Sequence, residues 1–402
     1  MTDVIPVDVA IIGGGPAGCA VAISLAQSGR RVALLERTNY RTARVGETLP
    51  PAIQPLLRDL GVWEQFLADE HSAAPGLVVQ WDYGQAYETD HIFNPYGCGW
   101  NLNRLKFDRT LYKAASALEG VFAFSEVSRL VCKRSSNRSN CAWLLTFTGN
   151  SKEFHTNSGR SPGRHLSLSA RFVVGATGRV APPSLPHSLK RVSVDNMVGV
   201  VGRLPPRTSP PPLECAEADD TRIWIESVRD GWWYSVPLPD GSLVAVYLTD
   251  ADLVRAQGGA RTAWQSSLAQ APRLKSRLNG IEVTGEVNML PNNLRVVAAD
   301  SYCRRRLASQ DYLLVGDAAC AWDPLSGQGV FRALTEGRMA ARAIDGYMLR
   351  GDCGALKEYE GHLLKNFDTY LQERYEMYCR ETRFPASPFW RRRRKAPAPI
   401  PV

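Results

Sequence analysis

The chain has 402 residues, a formal net charge of +8, 44% hydrophobic residues and 22% charged residues. That length allows two or three domains with buried cores, and the balance is ordinary for a globular fold in water. No apolar run reaches the roughly 20 residues that span a bilayer, and nine scattered cysteines show no C-x-x-C and no paired His/Cys spacing, which excludes a membrane-spanning helix and a structural zinc site and predicts reduced thiols in the cytoplasm.

The first predicted element is the strand Val7-Asp8-Val9-Ala10-Ile11-Ile12, which lacks the basic leader and cleavage site of a signal peptide. It runs into Gly13-Gly14-Gly15-Pro16-Ala17-Gly18, then an alanine-rich helix, then a second strand, Arg31–Leu35, ending on Glu36. This is the dinucleotide-binding fingerprint in its proper strand–turn–helix context. Gly13 permits the turn, Gly15 lets a pyrophosphate approach the backbone, and Gly18 lets helix and strand pack closely. Pro16 and Ala17 open a helix whose free N–H groups suit phosphate, and Glu36 is placed to accept from a ribose.

Further along, the pattern predicts a helix over Pro51–Leu67, an aromatic strand at Leu77–Trp81, and a helix over Leu105–Leu118. Strands follow at Val121–Phe124 and Trp143–Phe147. A polar loop over Asn150–Ser169 precedes the strand Arg171–Val174, which ends in Gly175-Ala176-Thr177-Gly178. Pro-rich stretches at Ala181–Pro186 and Leu204–Pro212 introduce a β-rich region to Val297, interrupted by one helix over Ala260–Leu278. The strand Tyr312–Val315 ends in Gly316-Asp317, and helices are predicted over Gln328–Leu349 and Leu356–Thr382. The run Arg391–Lys395, followed by Ala-Pro repeats, reads as a solvated, disordered tail, and no nucleic-acid partner is assigned to it.

Two motifs beyond the fingerprint carry the rest of the reading. Gly316-Asp317-Ala318-Ala319 closes an apolar strand, and Asp323-Pro324-Leu325-Ser326-Gly327-Gln328-Gly329 opens a helix. With these in order, the sequence resembles the superfamily of FAD-containing aromatic hydroxylases and flavin-dependent halogenases, from the N-terminus to about residue 350. The resemblance implies an α/β fold: a glutathione-reductase-type, Rossmann-like FAD domain in a three-layer ββα arrangement, with an inserted β-sheet substrate domain and C-terminal helices. The expected division is 1–75, 100–180 and 298–350 for FAD, 76–99 and 181–297 for substrate, 351–390 as a helical segment, and 391–402 as the tail.

By the same resemblance, Asp317 holds the ribityl chain, and Pro324 brings a rigid carbonyl to the flavin ring. Gly327, Gln328 and Gly329 aim N–H groups at the pyrimidine edge, where reduction places negative charge. Val45–Pro51 resembles the Gly-Glu loop over the isoalloxazine, with Gly46 at the cofactor and Glu47 either acting there or capping a helix. Asn103–Asp108 resembles the Arg-x-x-Phe-Asp helix start, in which Arg104 contacts FAD unless it is an ordinary surface arginine. Arg37 and Arg44 join the cofactor set, and Val127 gives the adenine a backbone contact.

Three departures narrow the chemistry. There is one dinucleotide fingerprint only, so electrons come from transiently bound NAD(P)H or from external reduced flavin made by a flavin reductase. Thr177 stands where single-component hydroxylases carry an acid. Between Glu47 and Arg104 there is no lysine, whereas tryptophan halogenases use one there. Oxygen insertion is therefore preferred: reduced FAD reacts with O2 to a C4a-hydroperoxide and passes OH to an aromatic ring, with protons moved by Glu47 or His91. Trp81, Tyr83, Trp232, Trp233 and Tyr234 line the substrate side or pack the core. The nearest likeness, in Gly46–Pro51, Gly99–Arg104 and Asp323–Gly329, is to flavoproteins that modify tryptophan during maturation of quinone-cofactor amine oxidases and dehydrogenases, which implies a substrate inside a partner polypeptide. Halogenation and prenyl-reductase-type reduction are the alternatives.

Overall fold

The computed structural model describes residues 4–42, 44–134, 143–151, 164–180, 190–207, 220–278 and 294–397. In chain order its elements begin with β1 (Val4–Ile12), α1 (Pro16–Gln27), β2 (Val32–Leu35), β3 (Thr48–Leu49), α2 (Ile53–Asp59) and α3 (Trp63–Ala68). Next come β4 (Ser72–Ala74), β5 (Gly76–Gln80), β6 (Tyr87–Asp90), β7 (Gly99–Asn101), α4 (Arg104–Ser116), β8 (Val121–Arg134), β9 (Trp143–Ser151) and β10 (Arg164–Gly175). The middle holds β11 (Arg191–Ser193), β12 (Met197–Leu204), β13 (Ile223–Val228), β14 (Gly231–Pro237), β15 (Leu243–Asp250), α5 (Ala251–Ala256), α6 (Ala260–Leu268) and α7 (Pro272–Leu278). The last part holds β16 (Arg295–Ala298), β17 (Tyr302–Arg304), β18 (Tyr312–Leu314), β19 (Cys320–Ala321), α8 (Gly329–Arg350), α9 (Gly354–Cys379) and α10 (Pro388–Arg393).

The first sheet is a parallel array in which β2 lies between β1 and β8, and β10 between β1 and β18. Its central strands are apolar on both sides, as burial on both faces requires. Strand β8 turns out of this array at two irregularities, with positive φ at Glu126 and Arg129. Its second half then pairs antiparallel with β9, and β9 with β10, which adds a β layer over the parallel one. Helices α1, α4 and α8 pack together as a further layer. Gly337 of α8 allows the approach: a methyl there would stand 2.7 Å from both the Ala17 carbonyl oxygen and the Ala20 methyl of α1.

The second sheet has seven strands in the order β16-β12-β15-β14-β13-β5-β6. Its two faces bury different clusters. Trp233 and Tyr247 pack with Trp264 of α6 on one side. Trp232 packs with Trp81, Tyr378 and Trp390 on the other. Strand period two explains the split, since neighbours 232 and 233 point to opposite faces. Val45 and Leu325, from loops of the first unit, join the Trp232 side.

Several sequence expectations are corrected. The helix predicted over Pro51–Leu67 is two short helices, because Gly61 takes a positive φ of 69° between α2 and α3. The single helix predicted over Ala260–Leu278 is also two, α6 and α7, with Pro272 opening the second. The polar loop is shorter than predicted, because β9 runs to Ser151 and β10 starts at Arg164; residues 152–163 lie outside the described part, as do 181–189, which contain the first Pro-rich stretch. Not every thiol is reduced: Cys303 and Cys320, directly opposed on β17 and β19, form a disulfide. The arginine run is no disordered tail as far as residue 397. Arg391–Arg393 end α10, and the side chain of Arg393 is 1% exposed. No helix among the described residues is long and apolar enough to cross a membrane.

Candidate active site

The turn from β1 to α1 uses its glycines in two different ways. A methyl on Gly13, whose φ is +112°, would collide with the Ala176 carbonyl, and one on Gly18 would collide with the Gly13 carbonyl. These two exist for close packing. A methyl on Gly15 would meet only the Arg44 guanidinium, at 3.7 Å, so this backbone faces open space. Pro16 follows at the first helical position, where its missing N–H costs nothing.

Glu36, at the end of β2, is buried, with three hydrogen bonds on one carboxylate oxygen and a single one on the other. Oε2 accepts from the Gly14 N–H at 2.7 Å, and Oε1 from the Thr38 N–H, the Thr38 hydroxyl and Arg44 Nη2. The Val127 N–H donates to the Glu36 carbonyl at 2.9 Å, which brings the β8 irregularity to the same place. Arg37 is exposed.

The third stretch closes onto the first. A methyl on Gly316 would lie 3.1 Å from the Ala17 methyl. Asp317 beside it accepts from Arg332 Nη2 at 3.0 Å and faces Arg179 Nε at 3.5 Å. Arg332 is buried on α8 and also donates to Glu336, whose other oxygen accepts the Gly316 N–H. Burial pushes the Glu336 carboxyl up against the pull of Arg332. Sequence reasoning missed Arg179, Arg332 and Glu336; for the last two, the Arg–Glu pair at i, i+4 just after the Gly-Gln-Gly start was the available signal.

Asp323 anchors the loop carrying Pro324. Its N–H donates to the Tyr370 hydroxyl at 2.7 Å, and its carboxylate accepts from the Leu325 N–H, Arg374 Nε and the Tyr378 hydroxyl. Gly327, in the left-handed region at φ +61°, Gln328 and Gly329 are exposed at the start of α8. Arg374 also borders a groove of about 1200 Å³ with Asp195, Arg191 and Arg393, separate from the residues predicted as the site.

Glu47 sits where the two sheets meet. It is 6% exposed; Oε2 accepts from the Gly46 N–H at 2.9 Å and from the Tyr234 hydroxyl of β14 at 3.3 Å. A methyl on Gly46 would lie 3.7 Å from Val330, so the loop borders the first turn of α8. Burial holds the Glu47 carboxyl above the usual carboxylate range, opposed by the charge of Arg104 and by the Gly46 and Tyr234 hydrogen bonds. Arg104 grips this loop from behind: Nη1 donates to the Val45 and Gly46 carbonyls, and Nη2 pairs with Asp108. Its Nε is buried without a partner.

Other predicted residues lie elsewhere. His91 Nδ1 is committed to the turn formed by the Gly99 N–H and the Ala74 carbonyl, both at 3.3 Å, and no contact joins it to Glu47. Tyr83 is 79% exposed. Trp81 and Trp233 are core residues, and of the aromatic set Tyr234 alone contacts Glu47.

The family model described as an FAD binding domain matches residues 6–361. A protein of Marinomonas mediterranea named as the FAD-dependent oxidoreductase LodB is 29% identical over 396 residues, covering 96% of each chain. The solved myxobacterial chondrochloren halogenase CndH is 24% identical, with a TM-score of 0.79 over 97% of this chain and 86% of that one. The solved peptidyl tryptophan dihydroxylase QhpG, described as essential for tryptophylquinone cofactor biogenesis, is 22% identical, with a TM-score of 0.73 over 98% of this chain and 79% of that one. The α/β fold is the one these structures share.

Proposed function

Since the chain belongs to the FAD binding domain family, we propose that this FAD-dependent oxidoreductase is a monooxygenase that hydroxylates an electron-rich aromatic ring, with a tryptophan of a partner polypeptide as substrate. The residues fit FAD. Open space beside Gly15 suits a pyrophosphate, the Glu36 carboxylate suits a ribose, and Asp317, half in solvent, suits the ribityl hydroxyls. The exposed start of α8 at Gln328 and Gly329, following a Gly327 N–H already given to the Pro324 carbonyl, suits the ring edge that becomes negative on reduction. Bound FAD, once reduced by NAD(P)H or by a separate flavin reductase, supplies the activation of O2.

The chain's own part is to seal the site, orient the ring and move a proton. The observation that carries the reading is Glu47: a buried acid on the loop that borders the start of α8, with no lysine between it and Arg104. Loss of a ring proton during oxygen insertion calls for an acceptor in a water-poor place, and a carboxylate with a raised pKa serves as one. Arg104 fixes the loop rather than the proton.

Aerobic turnover of the FAD-loaded protein with a reductant and candidate aromatic substrates, followed by mass spectrometry, tests this. Gain of one or two oxygen atoms is expected. The second reading, halogenation, is favoured by the likeness to CndH and predicts a halogen in the product that depends on added halide. Reduction of the substrate without O2 uptake would refute both.

A further inference from the structure

We propose that Tyr234 sets the protonation state of Glu47, so that the two act as one proton-handling pair at the seam between the sheets. This rests on the reading of the seam as the flavin site. Tyr234 comes from the second sheet and Glu47 from the connection that leads from β2 of the first sheet to β3, so the pair exists only when both parts are assembled.

Strand alternation decides which aromatic residue reaches the seam. Trp232 and Tyr234 share a face of β14, while Trp233 turns to the helix-covered side. Trp232 is held in the core by Trp81 and by its N–H on the Tyr378 hydroxyl. Tyr234 alone carries a hydroxyl to the loop, and burial keeps that hydroxyl protonated well past its usual range. It is therefore a fixed donor, not a second acid.

The groups facing Glu47 are few. From β14 comes the Tyr234 hydroxyl, and from its own loop the N–H groups of Gly46 and of Glu47 itself. From α4 comes the Arg104 cation, itself neutralised by Asp108, while α8 brings the uncharged Val330 against the neighbouring Gly46. Arg104 is tied to two carbonyls and a carboxylate, so its pull is constant. The Tyr234 hydrogen bond is the side-chain contact to the carboxylate that a single substitution removes without opening the loop. Tyr234 is thus a positioning residue that acts through Glu47.

The test uses FAD-loaded protein with ¹³C-labelled glutamate, reading the Glu47 carboxyl signal against pH; loss of the signal in Glu47→Gln assigns it. The pH dependence of the bound flavin's visible absorption is the second readout. In Tyr234→Phe the ionisation of Glu47 is expected to move up by about one pH unit, a tenfold gain in proton affinity. Site-specific 3-fluorotyrosine at 234, a stronger donor of nearly unchanged shape, is expected to move it down, and it covers the case in which the Phe variant fails to fold. A Glu47 titration at the same pH in wild type and in the fluorotyrosine protein would overturn the proposal. Neither readout needs turnover, so a failed product assay leaves this result standing, and the reverse also holds.

Discussion

Arg393 and Asp250 form a two-pronged ion pair in which both side chains are buried, with Nη2 to Oδ1 at 2.7 Å and Nη1 to Oδ2 at 3.2 Å. The guanidinium also lies 3.7 Å above the Phe389 ring. The C-terminal helix is thereby clasped to the end of β15. Arg393→Ala leaves the buried Asp250 carboxylate only the half-exposed Arg392, and should cost about 3 kcal/mol in a urea unfolding measurement. Exposed Arg391→Ala should cost less than about 0.5 kcal/mol. Equal effects would show that the clasp is not what holds α10.

The glycines of the first turn should separate fold from cofactor. Gly18→Ala forces a methyl into the Gly13 carbonyl and should lower the unfolding midpoint or prevent soluble expression. Gly15→Val has room in the free protein but fills the space proposed for the pyrophosphate. It should give a folded, colourless protein. A Gly15→Val protein that purifies with stoichiometric FAD would remove the turn from the cofactor site.

Asp323 collects four hydrogen bonds for the loop that carries Pro324. Asp323→Asn keeps the size but weakens the bonds from Arg374 and Tyr378, while Arg374 retains Asp195. FAD binding, followed by quenching of flavin fluorescence, should weaken by about tenfold to a hundredfold, as expected for loss of a charge-assisted hydrogen bond. Unchanged affinity would mean that the loop does not bear on the flavin.

Acid should loosen the first domain at His71. Burial among Phe66 and Phe107 pushes its pKa down from 6.5 to about 4, and Nε2 is buried without a partner. The folded state therefore binds the proton more weakly than the unfolded chain. Stability contributed by neutral His71 is complete above pH 6.5 and is lost as pH falls toward 4, by up to about 3 kcal/mol. His71→Gln, which can still accept the Asn103 N–H, should flatten the unfolding midpoint across that window relative to wild type. A parallel pH course in both proteins would assign the acid sensitivity to other groups.

What the sequence could announce depended on how local each signal was. The Gly13–Gly18 turn, Glu36 and the Gly327–Gly329 helix start are short-range patterns whose spacing is itself the cause of the geometry. The interruption at Gly61 was hidden because the apolar spacing continues on both sides of it. The roles of Arg393, Tyr234 and Arg179 depend on partners far away in the chain: Asp250, Glu47 and Asp317. Periodicity says nothing of such meetings. A run of arginines reads as solvated until the acid that buries one of them is known. Arg104 shows a subtler limit, since its motif was visible but its grip on the Val45 and Gly46 carbonyls was not.

Leu77 of β5 pairs in parallel with Ile223 of β13, whereas β6 pairs with β5 directly. The outermost hairpin of the second sheet is thus made long before the strand on which it must lie. At ribosomal rates of ~5–20 residues per second, that hairpin waits roughly 7–27 s for its neighbour. During that interval its apolar face has no cover, and Phe93 and Ile92 beside it stay bare even in the finished molecule. Newly made chains should therefore depend on a chaperone's shelter more than the mature protein's stability would suggest.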